Sequence, residues 1–238
     1  MKLAQLVKEL EKEKNSAQAK VLQGFFKTKK GEYGEGDIFL GIKVPVQRKL
    51  SKKYDLGLGE MQELLNSKIH EHRMCALFVL IRNFENAKKI NDKKTQKQIF
   101  DFYLENAKKG NINNWDLVDL SAPNIAGEYL LDKDRNVLYK LASSKIIWEK
   151  RISILATFTF IKNKQIVDTA KIAKILLKDE HDLIQKAVGW MLREMGKRTS
   201  EEELIRFLDK YSKEMPRTML RYSIERLSEK QKKYYMQK

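Results

Sequence analysis

The chain has few residues that would interrupt a helix. Its 238 residues include 3 prolines and 11 glycines, and five of the glycines fall between Gly24 and Gly41. Elsewhere apolar residues recur at three- and four-residue spacing, and no run shows the strict alternation of a half-buried strand. The sequence therefore predicts an all-α fold. We expect helices over Leu3–Glu13, Ala17–Thr28, Pro45–Tyr54, Glu60–Asn66, Ile69–Asn83, Lys94–Asn106, Trp115–Leu131, Asn136–Ala142, Ile147–Phe160, Ile166–Leu177, Leu183–Met195, Glu201–Tyr211, Pro216–Arg226 and Glu229–Met236.

Three of these segments resemble one another. Each carries a cation, Arg73, Arg151 or Lys186, just before an apolar stretch that contains small residues. The successive cations are 78 and 35 positions apart, close to two periods and one period of a repeat of about 40 residues, which is typical of HEAT-like helix pairs. We therefore expect one domain, residues 1–238, built as a right-handed α-solenoid of HEAT-like repeats with a concave basic groove. If the three cations are equivalent, they form a row along this groove that suits a duplex backbone. The alternative is that they begin helices and face solvent.

The charge of the chain favours a polyanionic partner. There are 48 Lys and Arg residues against 32 Asp and Glu, which gives a formal net charge of +16. Nucleic acid is the commonest partner of such a surface; an acidic membrane and a merely solubilising surface are the alternatives. Cys75 is the single cysteine, so no intrachain disulfide can form. Without a signal peptide or a membrane span, the expected location is the cytoplasm, in association with the nucleoid.

Tryptophans share predicted helix faces with charged residues. Trp115 and Asp119 are four positions apart and lie one turn from each other on a helix. Trp190 shares its face with Lys186 and Arg193 at the same kind of spacing. Each tryptophan alone is more often a core residue. An aromatic wall beside a carboxylate and a row of cations is, however, what a cationic sugar–base substrate on a phosphate backbone would need.

The motifs of this chain resemble those of the AlkD-like DNA alkylation-repair glycosylases, enzymes built from HEAT-like repeats. The resemblance covers nearly the whole length, and its motifs occur in the same order. They are Phe25-Phe-Lys-Thr, Gly31–Ile42 with Pro45 and Arg48, Asn114-Trp-Asp-Leu-Val-Asp119, Trp148 with Arg151, and Ile184–Glu194.

The resemblance implies a set of site residues. It puts the catalytic carboxylate at Asp119 and two substrate-binding tryptophans at Trp115 and Trp190. An aromatic residue near the N-terminus should also contact the substrate, and we expect Tyr33 there, with Phe25 and Phe26 as the other candidates.

The DNA contacts follow in part from the same resemblance. It implies that Arg151 binds phosphates. Lys186, Arg193, Arg48 and Lys43 are the further cations that we expect at the DNA backbone.

The implied activity is hydrolysis of the glycosidic bond of a cationic alkylated purine, such as 3-alkyladenine or 7-alkylguanine, in duplex DNA. The positive base leaves readily, so the enzyme needs a negative charge near the oxocarbenium-like sugar and a positioned water. The resemblance also implies that the lesion need not be flipped into a deep pocket. The sequence predicts a monomer with no metal and no cofactor, since one cysteine and three histidines provide no metal-ligand spacing.

A second interpretation belongs to another class of protein. Helical solenoids are often scaffolds, and a relative could bind DNA or protein without catalysis. Asp119 argues against this, because a carboxylate in a cationic groove weakens DNA binding. The role of Asp116 stays open between an acid at a helix start and a second carboxylate of the site.

Overall fold

The computed structural model describes residues 2–237, and the regular secondary structure of this part of the chain is helical. Apart from one isolated parallel bridge between Ile38 and Ile69, it contains no β-structure. The predicted all-α fold class is confirmed. Within the described range, none of the helices has the length and apolar character needed to cross a membrane. The α-helices are α1 (Lys2–Lys12), α2 (Ser16–Phe25), α3 (Val44–Ser51), α4 (Leu58–Leu65), α5 (His70–Lys89), α6 (Lys93–Lys108), α7 (Trp115–Ser121), α8 (Glu128–Leu130), α9 (Asn136–Ala142), α10 (Ile147–Lys162), α11 (Val167–Ile175), α12 (Asp182–Arg198), α13 (Glu201–Tyr211), α14 (Arg217–Ile224) and α15 (Glu229–Gln237).

Several helices begin where a polar side chain can accept an N–H of the first turn. Asn15 Oδ1 accepts from the backbone N–H of Gln18 at 2.9 Å ahead of α2. Ser200 Oγ accepts from the N–H of Glu203 at 3.2 Å ahead of α13, which also starts with three glutamates. These groups satisfy donors that a helix start leaves without a helical partner, and acidic residues suit that end of the helix dipole. Both helices therefore begin within one residue of the predicted position.

The predicted helix Trp115–Leu131 is interrupted at Pro123. The chain forms α7 up to Ser121, then a π-helical turn over Pro123–Gly127, and then the short α8. Pro123 has no N–H to donate to the carbonyl four residues earlier, and its ring crowds that carbonyl. The register shifts, so the Gly127 N–H bonds to the Ala122 carbonyl five residues back at 2.9 Å. The prediction of one continuous helix was wrong here.

The same point divides the chain into two compact units, of which the first ends at Ser121. Its central helix is α5, in which every residue from 70 to 81 is buried. This helix packs against α3, α4, α6 and α7. A helix that is buried on all sides must be central, because each of its faces is covered by a neighbour.

The second unit begins at Ala122 and is organised around α10 and α12. Helix α12 packs against α10 and also against α14. A Cβ on Gly189 would lie 2.5 Å from the carbonyl oxygen of Met219, so a side chain there would push α14 away. The three segments that resemble one another in sequence are the helices α5, α10 and α12. A single domain over residues 1–238 stays a prediction.

Two tryptophans of the second unit differ in burial, and we expect their truncations to differ in the same way. Trp148 is 5% exposed, whereas Trp190 is half-buried. Trp148→Ala should lower the free energy of unfolding by about 3–5 kcal/mol, because it leaves a cavity in the core. Trp190→Ala should cost clearly less. Urea unfolding of both variants checks this, with Trp148→Phe as the control that keeps an aromatic ring. Equal losses of unfolding free energy would show that Trp190 packs in the core as Trp148 does.

Candidate active site

Trp115 and Asp119 lie at the start and the middle of α7, one turn apart as predicted. Asn114, which is wholly buried, fixes the start of this helix. Its side-chain oxygen accepts from the Trp115 N–H at 2.8 Å, and its backbone carbonyl accepts from the Val118 N–H at 3.1 Å. Trp115 and Asp119 are both half-buried. Asn114 therefore fixes the first turn of α7, and this helix carries both the Trp115 ring and the Asp119 carboxylate.

Aromatic rings from the end of α2 surround Trp115. The ring of Phe26 stacks on Trp115, with the centroids 5.1 Å apart and an angle of 13° between the planes. Phe25 meets the same indole edge-on at 5.8 Å and is 63% exposed. Phe26 stacks in turn on Phe39 at 5.0 Å. Trp115 thus stands at the edge of an aromatic cluster and is not an isolated surface ring.

A buried chain of charged residues lies beneath α7. His70 donates from Nε2 to the Asp116 carboxylate at 2.9 Å, and its Nδ1 lies 3.3 Å from the Asp37 carboxylate. Arg73 binds the same Asp37 oxygen at 2.6 Å. The side chains of His70, Asp37 and Arg73 are at most 5% exposed. The chain joins the loop before α3, the start of α5 and the first turn of α7.

The partners of His70 decide its protonation. Burial alone would lower the pKa of His70, but the charge of Asp116 and the hydrogen bonds with Asp116 and Asp37 outweigh it and raise the pKa to about 9. Burial would likewise raise the pKa of Asp37, yet the hydrogen bond with His70 and the charge of Arg73 bring it below its ordinary value. Near neutral pH the chain therefore holds two cations against two carboxylates, and the buried charge is balanced.

The two carboxylates of α7, Asp116 and Asp119, have different surroundings. Asp116 accepts from the Leu117 N–H at 2.8 Å as well as from His70, so it acts as an acid at the helix start with a buried cationic partner. Asp119 lies three positions further along α7. Burial, with the charge of Asp119 nearby, raises the pKa of Tyr103. The carboxylate of Asp119 therefore lies where its field reaches the interior of the first unit.

The remaining predicted residues of the first unit are spread around these elements. Lys43 and Arg48 are exposed at the start and the middle of α3, and the Arg48 guanidinium lies 4.4 Å from the centre of the Phe78 ring. Tyr33 is half-buried, with the Lys27 amine 5.8 Å from its ring centre. Of the three candidate N-terminal aromatic residues, Phe25 and Phe26 contact Trp115 directly.

In the second unit, Arg151 lies inside the protein. It is 5% exposed, and its guanidinium donates to the backbone carbonyl of Leu183 in the first turn of α12. Arg73 is buried in the first unit as well, at 4% exposure. Neither cation matches the expectation of a helix-start residue that faces solvent. The phosphate contact of Arg151 stays a prediction.

Trp190 lies on α12 beside an aromatic residue that carries cations. Its ring centre is 6.2 Å from that of Phe158 on α10. The Lys162 amine and the Arg198 guanidinium lie 4.6 and 5.2 Å from the Phe158 ring. The two aromatic rings and two cations form a mixed surface on α10 and α12.

The other two cations predicted on α12 are engaged in ion pairs. Lys186 binds Asp182 one turn earlier at 2.7 Å, and its side chain is 40% exposed. Arg193 bridges Glu194 and Glu225. An exposed pair of this kind contributes little to stability. Arg193, whose side chain is 18% exposed, is held more firmly.

Comparison with known proteins identifies the family. The model of a family described as DNA alkylation repair enzyme matches residues 6–227. The chain belongs to the DNA alkylation repair family. A solved structure of a predicted DNA alkylation repair enzyme from Enterococcus faecalis is 16% identical, covers 91% of this chain and 98% of its own, and has a TM-score of 0.65. At that identity the likeness shows the fold, and no curated protein matches this sequence.

The family match confirms the resemblance seen in the motifs, whereas sequence reasoning missed residues that surround Trp115 and Asp116. His70, Asp37 and Phe39 were not predicted, although all three lie in or beside the ionic chain and the aromatic cluster. The sequence feature that could have indicated them was a histidine, His70, at the start of an apolar helix. Among the described residues, no three His, Cys, Asp or Glu side chains are arranged to hold a metal ion.

We expect the ionic chain to make stability depend on pH. A raised pKa means that His70 holds its proton more tightly in the folded protein, so its contribution is complete below about pH 6.5 and is lost as the pH rises through about 9. The free energy of unfolding should therefore fall over this range in the wild type and much less in His70→Gln. Urea unfolding at a series of pH values measures it.

The matched control is His181→Gln. This exposed histidine lies in the second unit, and burial lowers its pKa, so its own contribution has the opposite sign. The free energy of unfolding of His181→Gln should fall with rising pH as it does in the wild type. Parallel curves for the wild type and His70→Gln would show that folding does not raise the pKa of His70.

Proposed function

We propose that this DNA alkylation repair protein is an N-glycosylase that hydrolyses the bond between deoxyribose and a cationic alkylated purine in duplex DNA. Its substrates would be 3-alkyladenine and 7-alkylguanine, and its place would be base excision repair. The observation that carries the proposal is the position of Asp119, half-buried and one helical turn from Trp115, on a helix whose other carboxylate is bound to a buried histidine.

The chemistry of such a substrate matches this arrangement. An alkylated ring nitrogen makes the purine a cation and a good leaving group, so little acid catalysis is required. As the bond breaks, positive charge develops on the sugar, and a carboxylate nearby stabilises it and can orient the attacking water. Since Asp116 is balanced by His70, Asp119 is the carboxylate of α7 that we assign to this role.

Aromatic rings would complete the surroundings of the sugar. Trp115 is supported from behind by Phe26 and from the edge by Phe25, so its ring is held in one orientation. A fixed ring face attracts positive charge without having to reorganise. Trp190, with the cations around Phe158, is the second aromatic contact in the proposal, and Tyr33 is the third.

DNA binding would depend on the basic surface. The net charge of +16 supplies the sequence-independent attraction to phosphates, and the exposed Lys43, Arg48 and Lys186 are suited to direct contacts. We further propose a monomer with a concave basic groove that acts at the nucleoid and needs no cofactor. Arg193 and Arg151 belong to this surface in the proposal, although both have partners within the protein.

Asp119→Asn should lower the rate of base release from methylated duplex DNA by about 100-fold or more, because it removes the charge but keeps the size. Its affinity for DNA should hold or rise, since a repulsive charge is lost. Single-turnover release of 7-methylguanine, measured beside DNA binding, checks both parts.

Asp101→Asn is the matched control, because Asp101 is an exposed carboxylate that pairs with Lys97 on α6. It should release bases at the wild-type rate. If Asp119→Asn also keeps that rate, the carboxylate mechanism is wrong. A wild-type protein that binds the duplex without releasing any base would be the non-catalytic scaffold.

The burial of Arg151 allows a sharp test of its proposed role. If it contacts a phosphate, Arg151→Gln should weaken binding to damaged and undamaged duplex alike and reduce the slope of log K against log salt by about 0.9. If its role is only to hold α12, the variant will lose stability while the salt slope stays unchanged. Arg206→Gln, at an exposed guanidinium paired with glutamates, is the control for charge alone.

A further inference from the structure

His70 faces carboxylates from two different segments of the first unit. Its Nε2 lies 2.9 Å from the Asp116 carboxylate in the first turn of α7, and its Nδ1 lies 3.3 Å from Asp37 in the loop before α3. The His70 side chain is 3% exposed, so these carboxylates take the place of water around the imidazole. The position of one ring is therefore tied to the positions of both segments.

The Asp37 end of this link is fixed to α5. Arg73, one turn after His70 on the same helix, binds the Asp37 carboxylate at 2.6 Å. The backbone beside Asp37 is bonded as well: the His70 N–H donates to the Ile38 carbonyl at 2.8 Å, and the Ile38 N–H donates to the Lys68 carbonyl at 2.9 Å. The loop that carries Asp37 is thus joined to the start of α5 through side chains and backbone, and it gives His70 a firm anchor.

Aromatic rings fix the plane of the imidazole. The ring of Phe39 stacks on His70, with the centroids 4.6 Å apart and 23° between the planes. Phe26 lies 5.2 Å from the same imidazole and stacks on Trp115 with its ring. A rotation of the imidazole would displace these rings, so its Nε2 stays directed at the Asp116 carboxylate.

The bond to His70 gives Asp116 a direction more than it gives it stability. The Asp116 side chain is 15% exposed, accepts from the Leu117 N–H at 2.8 Å and lies in a first helical turn, where negative charge is favourable. Trp115 lies one position before Asp116 and Asp119 three positions after it, on a helix of 7 residues. A shift of Asp116 would therefore move both residues.

We propose that His70 is a positioning residue: held against Asp37, it fixes Asp116 and with it the first turn of α7, so that Trp115 and Asp119 meet the substrate in the required place. His70 itself does not touch the substrate. The inference rests on the proposed function, which assigns Trp115 and Asp119 to the sugar. A displacement of about 1 Å can lower a rate by about 100-fold, so even a small shift of α7 would reduce turnover.

Two variants break the link between His70 and Asp116. His70→Phe keeps a ring beside Phe39 but donates no hydrogen bond. Asp116→Ala removes the acceptor and leaves the buried pair of His70 and Asp37 intact, so it decides the test even if His70→Phe does not fold. In single-turnover base release from methylated duplex DNA, each should lower the maximal rate by about 10-fold or more and change the half-saturating protein concentration by less than about 2-fold. The two effects differ because attraction to DNA is spread over the basic surface.

Asp116→Asn tells position from charge. Asparagine is uncharged, but its amide oxygen can still accept from the imidazole, so this variant should recover the maximal rate to within about 3-fold of the wild type. Arg82→Gln is the matched control for a broken link of α5, because the Arg82 guanidinium donates to the carbonyls of Ser51 and Tyr54 at the end of α3. It should lower the free energy of unfolding and leave the maximal rate unchanged.

The indole N–H signal of Trp115 reports on the first turn of α7 without any reaction. The chain has 3 tryptophans, so their signals can be followed in a proton–nitrogen correlation spectrum and that of Trp115 assigned with Trp115→Phe. The signal should shift in Asp116→Ala and His70→Phe and stay close to its wild-type position in Asp116→Asn. The signals of Trp148 and Trp190, in the second unit, serve as internal references.

The two measurements separate this inference from the proposed function. Unchanged maximal rates in His70→Phe and Asp116→Ala, or equal losses in Asp116→Ala and Asp116→Asn, would overturn the inference while the glycosylase proposal stands. If the wild type releases no base, the glycosylase proposal fails and the Trp115 signal decides the inference. A shift confined to the two variants that break the link then supports positioning by His70, and any other pattern overturns it.

Discussion

The bridge from Asp37 through His70 to Asp116 is the interaction on which the site of the first unit depends. It joins a loop, the central helix α5 and the first turn of α7 by charge-assisted bonds in an apolar interior. There each bond is strong, and each group would be costly without its partner. Arg73 completes the charge balance at Asp37. The orientation of Trp115 and Asp119 follows from the position at which His70 holds the first turn of α7.

The bridge also explains how one helix can carry two carboxylates close together. Asp116 and Asp119 are three positions apart, and two negative charges at this spacing would repel each other. The imidazolium of His70 compensates the charge of the first of them. The aromatic cluster also connects elements, since Phe26 stacks on Trp115 and on Phe39.

The sequence predicted the helices and the family, because both depend on local patterns. Apolar spacing located α13 at both ends, and the ordered motifs were sufficient for the family. The bridge could not be predicted, since it joins residues 33 and 46 positions apart that only the folded chain brings together. The break at Pro123 was missed because periodic apolar residues continue beyond it, although a proline without an N–H should have indicated it.

The buried arginines show where reasoning from charge fails. A cation before an apolar run is expected to face solvent, yet Arg73 meets a buried carboxylate and Arg151 a backbone carbonyl at the start of α12. Both hold together elements of their own unit. In a chain with a formal charge of +16, long-range attraction to DNA needs no particular arginine, because the exposed lysines provide it. A buried arginine can therefore have a structural role without loss of DNA affinity, and its position, more than its charge, decides what it contributes to the site.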